Sequence, residues 1–177
     1  LELTQKYLTP ESDVLEFGCG TGSTALIHAP KVKHILAIDY SQKMVDIANR
    51  KLADSGLNNV EFDCATLFDL SHGSESFDAV LALNVLHLLD DHEASIRKAY
   101  ELLKPGGVFV TSTVCLATKR NPLRLILPLG AALGIIPRVR FLTKEALERD
   151  IVECGFTLIE KLEPLRKNSA VFLIARK

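Results

Sequence analysis

The stretch VLEFGCGTGSTA, residues 14–25, brings an apolar run, an acid and three glycines together in one short segment. Gly18, Gly20 and Gly22 fall at every second position, directly after a predicted strand at residues 14–17. Glycines let the backbone bend tightly and approach a ligand closely, and the amides of such a bend can donate to a carboxylate or phosphate. We therefore predict a ligand site at this bend, with a purely structural turn as the alternative.

Length and composition favour one globular domain spanning residues 1–177, and the alternation of apolar runs and helical patterns makes it an α/β domain. The chain is 47% apolar and 24% charged, and its net charge of −1 provides no positive field to attract nucleic acid. Its cysteines are far apart and form no CxxC pair, so we predict reduced thiols, no metal site and a cytoplasmic location. They are Cys19, Cys64, Cys115 and Cys154.

Apolar runs alternate with helical patterns along the chain, which predicts a doubly wound parallel sheet. Strands are expected at 14–17, 35–38, 60–62, 77–83 and 108–114, with helices between them. One helix should begin after Ser41 and end at Gly56, and another should follow Asp90 or Asp91 and end at KPGG. A third should span 143–154. The last two strands, 156–162 and 170–175, are joined too closely for a crossover helix, so they should pair antiparallel.

An acid after the second strand narrows the choice of ligand. Asp39 lies about 20 residues beyond the bend, where a carboxylate can accept both hydroxyls of a ribose. The third glycine comes one residue earlier than in a dinucleotide site, and position 23 is serine. Glu16 also places a negative group where a pyrophosphate would lie. These features indicate an adenosine-containing ligand that carries a cation.

Four segments in this order resemble the motifs of the class I S-adenosylmethionine-dependent methyltransferases. They are VLEFGCGTG, AIDYS, SFDAVLALNVLHLL and ELLKPGGVFV, and their character is that of small-molecule and quinone-pathway members. The resemblance implies a Rossmann-like sheet of about seven strands, mostly parallel with a C-terminal antiparallel hairpin. It also implies S-adenosylmethionine as methyl donor, S-adenosylhomocysteine as product, and a small apolar metabolite as acceptor in an in-line displacement.

The resemblance also assigns roles to individual residues. Glu16 would hold the methionine amino group, Asp39 the ribose and Tyr40 the adenine. Many family members have an adenine-binding acid where this chain has Cys64 beside Ala65, so either Asp63 or Asp69 replaces that acid or backbone groups hold the adenine. The residues expected at the cofactor are Glu16, Gly18, Cys19, Gly20, Gly22, Asp39, Tyr40, Cys64, Ala65, Asn84 and Val85.

His87 is the candidate general base, because it follows the fourth strand at the rim where donor and acceptor would meet. A base is needed only if the acceptor must lose a proton, and His87 can instead simply pack the loop. His28, His34 and His92 are expected at helix ends or on the surface.

The apolar segment at about 119–141 leaves several interpretations open. It can cover an apolar acceptor, form ordinary core or a dimer surface, or insert shallowly into a membrane through its flanking arginines. Two alternative functions also remain, a non-catalytic S-adenosylmethionine-binding protein and an NAD-type oxidoreductase.

Overall fold

The computed structural model describes residues 2–114, 142–162 and 170–177. The predictions for the segment at about 119–141, including its contact with an acceptor or a membrane, lie outside the described residues. Within the described ranges, no helix is both long and apolar enough to cross a bilayer.

Strands and helices alternate through most of the chain. The described strands are β1 (Asp13–Phe17), β2 (His34–Asp39), β3 (Val60–Cys64), β4 (Phe77–Leu83), β5 (Leu103–Val114), β6 (Thr157–Leu162) and β7 (Ala170–Arg176). The described helices are α1 (Glu2–Gln5), α2 (Ser23–His28), α3 (Gln42–Ser55), α4 (His92–Leu102) and α5 (Lys144–Glu153), with short 3₁₀ turns at Ala29–Lys31 and Leu86–Leu88.

The strands form one sheet in the order β3-β2-β1-β4-β5-β7-β6. Strands β1 to β5 run parallel, whereas β7 is antiparallel to both β5 and β6. The mostly parallel sheet and its C-terminal hairpin are thus confirmed. The strand order reverses between β1 and β4, which creates a crevice at their carboxyl ends where doubly wound folds bind ligands.

Successive strand residues point to opposite faces of the sheet, and each face is covered by helices. On one face Leu15 and Phe17 pack in a cluster that includes α4 and α5, through Ile96, Leu147 and other buried residues. On the other face Val14 belongs to a cluster that includes Ala25 of α2 and Val45 and Ala48 of α3. The continuous apolar character of β1 follows from its burial on both sides.

The predicted starts of α3, α4 and α5 and the predicted end of α3 are confirmed. Asp91 Oδ1 accepts from the Ala94 amide at 2.8 Å, and Thr143 Oγ1 accepts from the Ala146 amide at 3.0 Å. Ser41 occupies the N-cap of α3, and Gly56 ends that helix with a φ of 70°. Side-chain acceptors satisfy amides that have no partner within the helix.

The prediction for the KPGG segment is wrong in one respect. Helix α4 ends at Leu102, and β5 begins at Leu103, which pairs with Phe77, whereas the predicted strand begins at residue 108. The register then shifts, so that the next pairing joins Ala79 to Val108. Because Pro105 has no amide hydrogen to continue a helix, the segment forms an irregularity inside the strand instead.

Two histidines expected at helix ends or on the surface lie at helix ends but are buried. His92 Nε2 lies 2.9 Å from Asp150 Oδ2, and this buried pair joins α4 to α5. His28 ends α2, and burial lowers its pKa to about 4, so the imidazole is neutral. A periodicity-based prediction misses such burial, because it depends on which distant helix covers the position.

Candidate functional site

The glycine bend between β1 and α2 forms one wall of the crevice. Gly18, Gly20 and Gly22 have φ values of 67°, 54° and 73°, in the left-handed region that glycine adopts without a steric penalty. The Cys19 amide donates to the Ile38 carbonyl at 3.0 Å, which attaches the bend to β2. The spacing of the three glycines is therefore explained by three left-handed residues in one short turn.

The surroundings of the three glycines differ. A Cβ on Gly18 would lie 2.3 Å from Val85 Cγ2, and one on Gly22 would lie 2.4 Å from Phe62 Cζ. A Cβ on Gly20 would meet nothing within 4 Å. Gly18 and Gly22 thus permit close packing inside the protein, whereas Gly20 borders open space that a ligand can enter.

Asp39 is fixed by the backbone at the end of β2. Its Oδ2 accepts from the Gly20 amide at 2.8 Å and its Oδ1 accepts from the Ser41 amide at 2.9 Å. A carboxylate has about four acceptor sites, so each oxygen can still accept from a hydroxyl group. Asp39 therefore sets the position of the bend and retains the capacity to hold a diol.

Glu16 lies in β1, two residues before the bend, and its side chain is almost fully enclosed. Its relative exposure is 2%, and Oε2 has no hydrogen-bond partner among the described residues. Burial raises the pKa of this carboxyl to about 8, so at neutral pH it is mostly protonated. An adjacent cation would restore the charged form, which makes this position suited to an ammonium group.

Cys19 lies in the bend between the two acids. Burial, followed by the charges of Glu16 and Asp39, raises the pKa of its thiol. The thiol therefore stays protonated, and Cys19 acts here as a small buried side chain.

The residues assigned to adenine lie together beside Asp39. Cys64 pairs with Asp39 in the sheet, its thiol donates to the Tyr40 carbonyl at 3.6 Å, and the Ala65 amide donates to the Asp39 carbonyl at 3.1 Å. The Tyr40 side chain is 79% exposed. The structure thus brings these four residues to one edge of the crevice.

The two acids considered as replacements at Cys64 differ in their contacts. Asp69 Oδ2 accepts from the amide and the hydroxyl of Thr66, and these two bonds lower the pKa of Asp69. Asp69 therefore closes its own turn. Asp63 precedes Cys64 in β3 and is exposed.

The turn after β4 closes the opposite side of the crevice. Asn84 has a φ of 59° and its amide donates to the Ser112 carbonyl at 2.7 Å, which directs the following Val85 onto Gly18. His87 lies on the next turn and is buried, and its Nδ1 has no hydrogen-bond partner in the described part of the chain. Burial lowers the pKa of His87, so its imidazole is neutral at pH 7.

One contact of the bend has no signal in the sequence. Lys51, on α3, donates to Thr21 and Ser23 of the bend. Its position in an amphipathic helix predicts no more than a polar face, because nothing in local spacing links residue 51 to residue 21.

Together these groups fit an amino-acid nucleoside. Asp39 has acceptor capacity for a diol, Gly20 leaves room beside it, and Glu16 offers a buried carboxyl to a cation. Three separate segments of the chain supply these groups, and the sheet brings them to one edge.

Comparison with known proteins agrees with this geometry. A family model described as a methyltransferase domain matches residues 14–107. The chain is 31% identical over 100 residues to the uncharacterized methyltransferase YcgJ of Bacillus subtilis, covering 56% of this chain and 40% of that protein. It is 27% identical over 167 residues to the ubiquinone biosynthesis O-methyltransferase of Parvibaculum lavamentivorans, covering 89% of this chain and 64% of that protein.

Among solved structures, the cyclase SpnF superposes with a TM-score of 0.84 and 21% identity, over 99% of this chain and 78% of SpnF. This likeness shows the fold. The chain spans about half the length of the two curated relatives: 40% of the Bacillus subtilis protein and 64% of the Parvibaculum lavamentivorans protein. The matched family region contains the glycine bend, Asp39 and the β4 turn. The chain therefore belongs to the methyltransferase domain family, which confirms its resemblance to the class I S-adenosylmethionine-dependent methyltransferases.

Proposed function

We propose that this chain binds S-adenosylmethionine at the glycine bend and transfers its methyl group to a small apolar metabolite. The observation that carries the proposal is the buried Glu16 carboxyl, because its Oε2 lacks a hydrogen-bond partner among the described residues. This carboxyl lies beside the glycine bend, which is hydrogen-bonded to Asp39. A phosphate ligand would be repelled by a charged Glu16, whereas an ammonium group would stabilise that charge.

In this proposal each part of the crevice holds one part of the cofactor. Glu16 holds the amino group, Asp39 the ribose hydroxyls, and the backbone at Gly20 lies against the ribose. Tyr40, Cys64 and Ala65 border the adenine, with no carboxylate at Cys64 to accept from it. Asn84 and Val85 border the methionine portion. When bound, S-adenosylmethionine would supply an activated methyl group: attack of the acceptor on the methyl carbon would break the methyl–sulfur bond in line, with S-adenosylhomocysteine as the leaving group.

Apolar side chains at the same edge of the sheet support an apolar acceptor. Phe68 and Leu88 follow β3 and β4, and these residues are exposed by 58% and 40%. Exposed apolar side chains that lie near a ligand crevice are typical of sites that take apolar molecules. The relative from Parvibaculum lavamentivorans is named as a ubiquinone biosynthesis O-methyltransferase, which agrees with an acceptor hydroxyl.

His87 is the proposed base for such a hydroxyl. Because its imidazole is neutral, it can accept the proton that leaves as the oxygen–methyl bond forms. Much of the rate would still come from positioning, since well-oriented reactants reach effective molarities of about 10⁵–10⁸ M.

Thermal unfolding measured with S-adenosylhomocysteine and with NAD, side by side, tests the cofactor assignment. We expect S-adenosylhomocysteine to raise the midpoint of thermal unfolding and NAD to leave it unchanged. The reverse result would favour an oxidoreductase.

A panel of phenols, quinols and aliphatic acids, assayed with methyl-labelled S-adenosylmethionine, tests methyl transfer. Binding without transfer to any of them would favour a non-catalytic binding protein. Loss of transfer to hydroxyl acceptors alone in His87→Ala would support the base.

A further inference from the structure

We propose that Lys51 is a positioning residue for the glycine bend. It fixes residues 21–23, the outer half of the bend, and thereby sets the affinity for the cofactor. This inference rests on the proposed function. Lys51 Nζ donates to the Thr21 carbonyl at 3.0 Å, the Thr21 hydroxyl at 2.8 Å and the Ser23 hydroxyl at 2.9 Å. An ammonium group has three donors, and all three are used on this one turn.

Helix α3 also packs closely against the bend at Gly22. A Cβ on Gly22 would lie 2.8 Å from Ala48 Cβ, and Ala48 precedes Lys51 by three residues on α3. Residues three apart share one face of a helix. Helix α3 therefore holds the outer half of the bend twice, once by close packing under Gly22 and once by charge-assisted bonds to the residues on either side of it.

Residues 18–20, the inner half of the bend, are held by β2 and by the turn after β4. Gly20 is bonded to Asp39 at the end of β2, and Gly18 packs against Val85 after β4. Without Lys51, the bend would keep these inner contacts and lose its polar attachment to α3. Thr21 and Ser23 would then be free to rotate, and residues 21–23, which directly follow Gly20, would have to be ordered when the cofactor binds.

The placement of Lys51 is not explained by helix stability. Ser23 begins α2, and the N-terminus of a helix carries a positive partial charge that disfavours a nearby cation. Gly22 is the N-cap of α2 and, as a glycine, has no side chain that could cap the helix. The ammonium group therefore lies where the α2 dipole opposes it, and its three bonds to the bend compensate for this.

Calorimetric titration with S-adenosylhomocysteine and steady-state kinetics test the proposal on three variants. We expect Lys51→Met to raise the dissociation constant and the KM for S-adenosylmethionine about tenfold, the scale of one lost charge-assisted hydrogen bond, with kcat changed less than about twofold. Lys51→Arg retains the charge and several donors and should recover most of the affinity. Lys43→Met, an exposed lysine of the same helix, is the matched control and should behave like the wild type.

The outcomes separate this inference from the function on which it rests. If the wild type fails to bind S-adenosylhomocysteine, the proposed function is wrong. If the wild type binds but Lys51→Met binds equally well, or if kcat falls as much as the affinity, the positioning role is wrong. Amide hydrogen exchange across residues 18–26 adds a readout without ligand: faster exchange in Lys51→Met than in Lys43→Met supports the role, and equal exchange contradicts it.

Discussion

The carboxyl ends of β1 and β2 each bring a buried acid to the same bend, and the two acids are held in opposite ways. Asp39 accepts two backbone amides, at 2.8 and 2.9 Å. Glu16 Oε2 accepts none from the described residues, and burial raises the pKa of its carboxyl to about 8. Asp39 is therefore oriented before a ligand arrives, whereas the charge of Glu16 depends on the ligand.

Replacing Asp39 should have the largest effect, because its carboxylate holds two backbone amides and, in the proposed function, also holds the ribose. We expect Asp39→Ala to weaken S-adenosylhomocysteine binding by at least about 100-fold and to lower the free energy of unfolding by about 2 kcal/mol, since two amides lose their acceptor. Calorimetric titration and urea unfolding measure the two effects.

Asp39→Asn is the matched control, since it retains one acceptor oxygen and nearly the same volume. Its affinity should lie between those of the wild type and Asp39→Ala. An Asp39→Ala variant that binds within about threefold of the wild type would refute the assignment of Asp39 to the ligand.

The two glycines nearest these acids should respond differently to alanine. Gly18→Ala places a Cβ 2.3 Å from Val85 at a φ of 67°, so we expect it to lower the free energy of unfolding by about 3 kcal/mol. Gly20→Ala meets nothing within 4 Å, so it should cost about 1 kcal/mol for its left-handed backbone and mainly reduce ligand affinity. Urea unfolding that ranks Gly20→Ala as the less stable variant would contradict this distinction.

Glu16→Gln should have a smaller effect on affinity than the loss of Asp39, and that effect should depend on pH. We expect S-adenosylhomocysteine binding to weaken about tenfold at pH 8, because the ammonium loses its charged partner. Below pH 8 the wild-type carboxyl must release a proton when the cation binds. Calorimetry in buffers of different ionisation enthalpy should therefore detect proton release in the wild type and none from this position in the variant.

The free energy of unfolding should also depend on pH differently in the wild type and in Glu16→Gln. The pKa of Glu16 is raised from 4.5 to about 8 in the folded state, so its contribution to stability is fully present below pH 4.5 and is lost as the pH rises through 8. Glu16→Gln removes this dependence, and the variant should be the more stable protein above pH 8. If the free energy of unfolding changed equally with pH in both proteins, Glu16 would be ionised in the folded protein without ligand.

Much of the fold could be predicted because its signals are local. The apolar runs lie within a residue or two of the observed β1, β2 and β4, and the cap residues mark the starts of α3 and α5. The failure at Leu103 is informative. Pro105 correctly indicated that a helix could not continue, but local pattern does not distinguish the last helical turn from a strand that begins with an irregular pairing.

The positions of the candidate site residues in the fold were predictable from the sequence, and their contacts were less so. Spacing alone placed Glu16, the bend and Asp39 at adjoining strand ends. The family resemblance assigned all three glycines to the ligand, and the structure adds that a Cβ on Gly18 or Gly22 would collide with Val85 or Phe62. Those contacts join residues separated by about 40 to 70 positions, and no periodic pattern within one element encodes them.

By itself, the sequence determined the alternation of strands and helices, the tight left-handed bend and the presence of two acids beside it. Backbone sterics and periodicity act over a few residues, so these features are fixed by neighbours in the chain. The tertiary structure decided that Asp39 is bonded to Gly20, that Glu16 is enclosed and protonated, and that Lys51 reaches the bend. Burial and hydrogen-bond partners depend on which distant segments the sheet brings together, so no local pattern in the sequence encodes them.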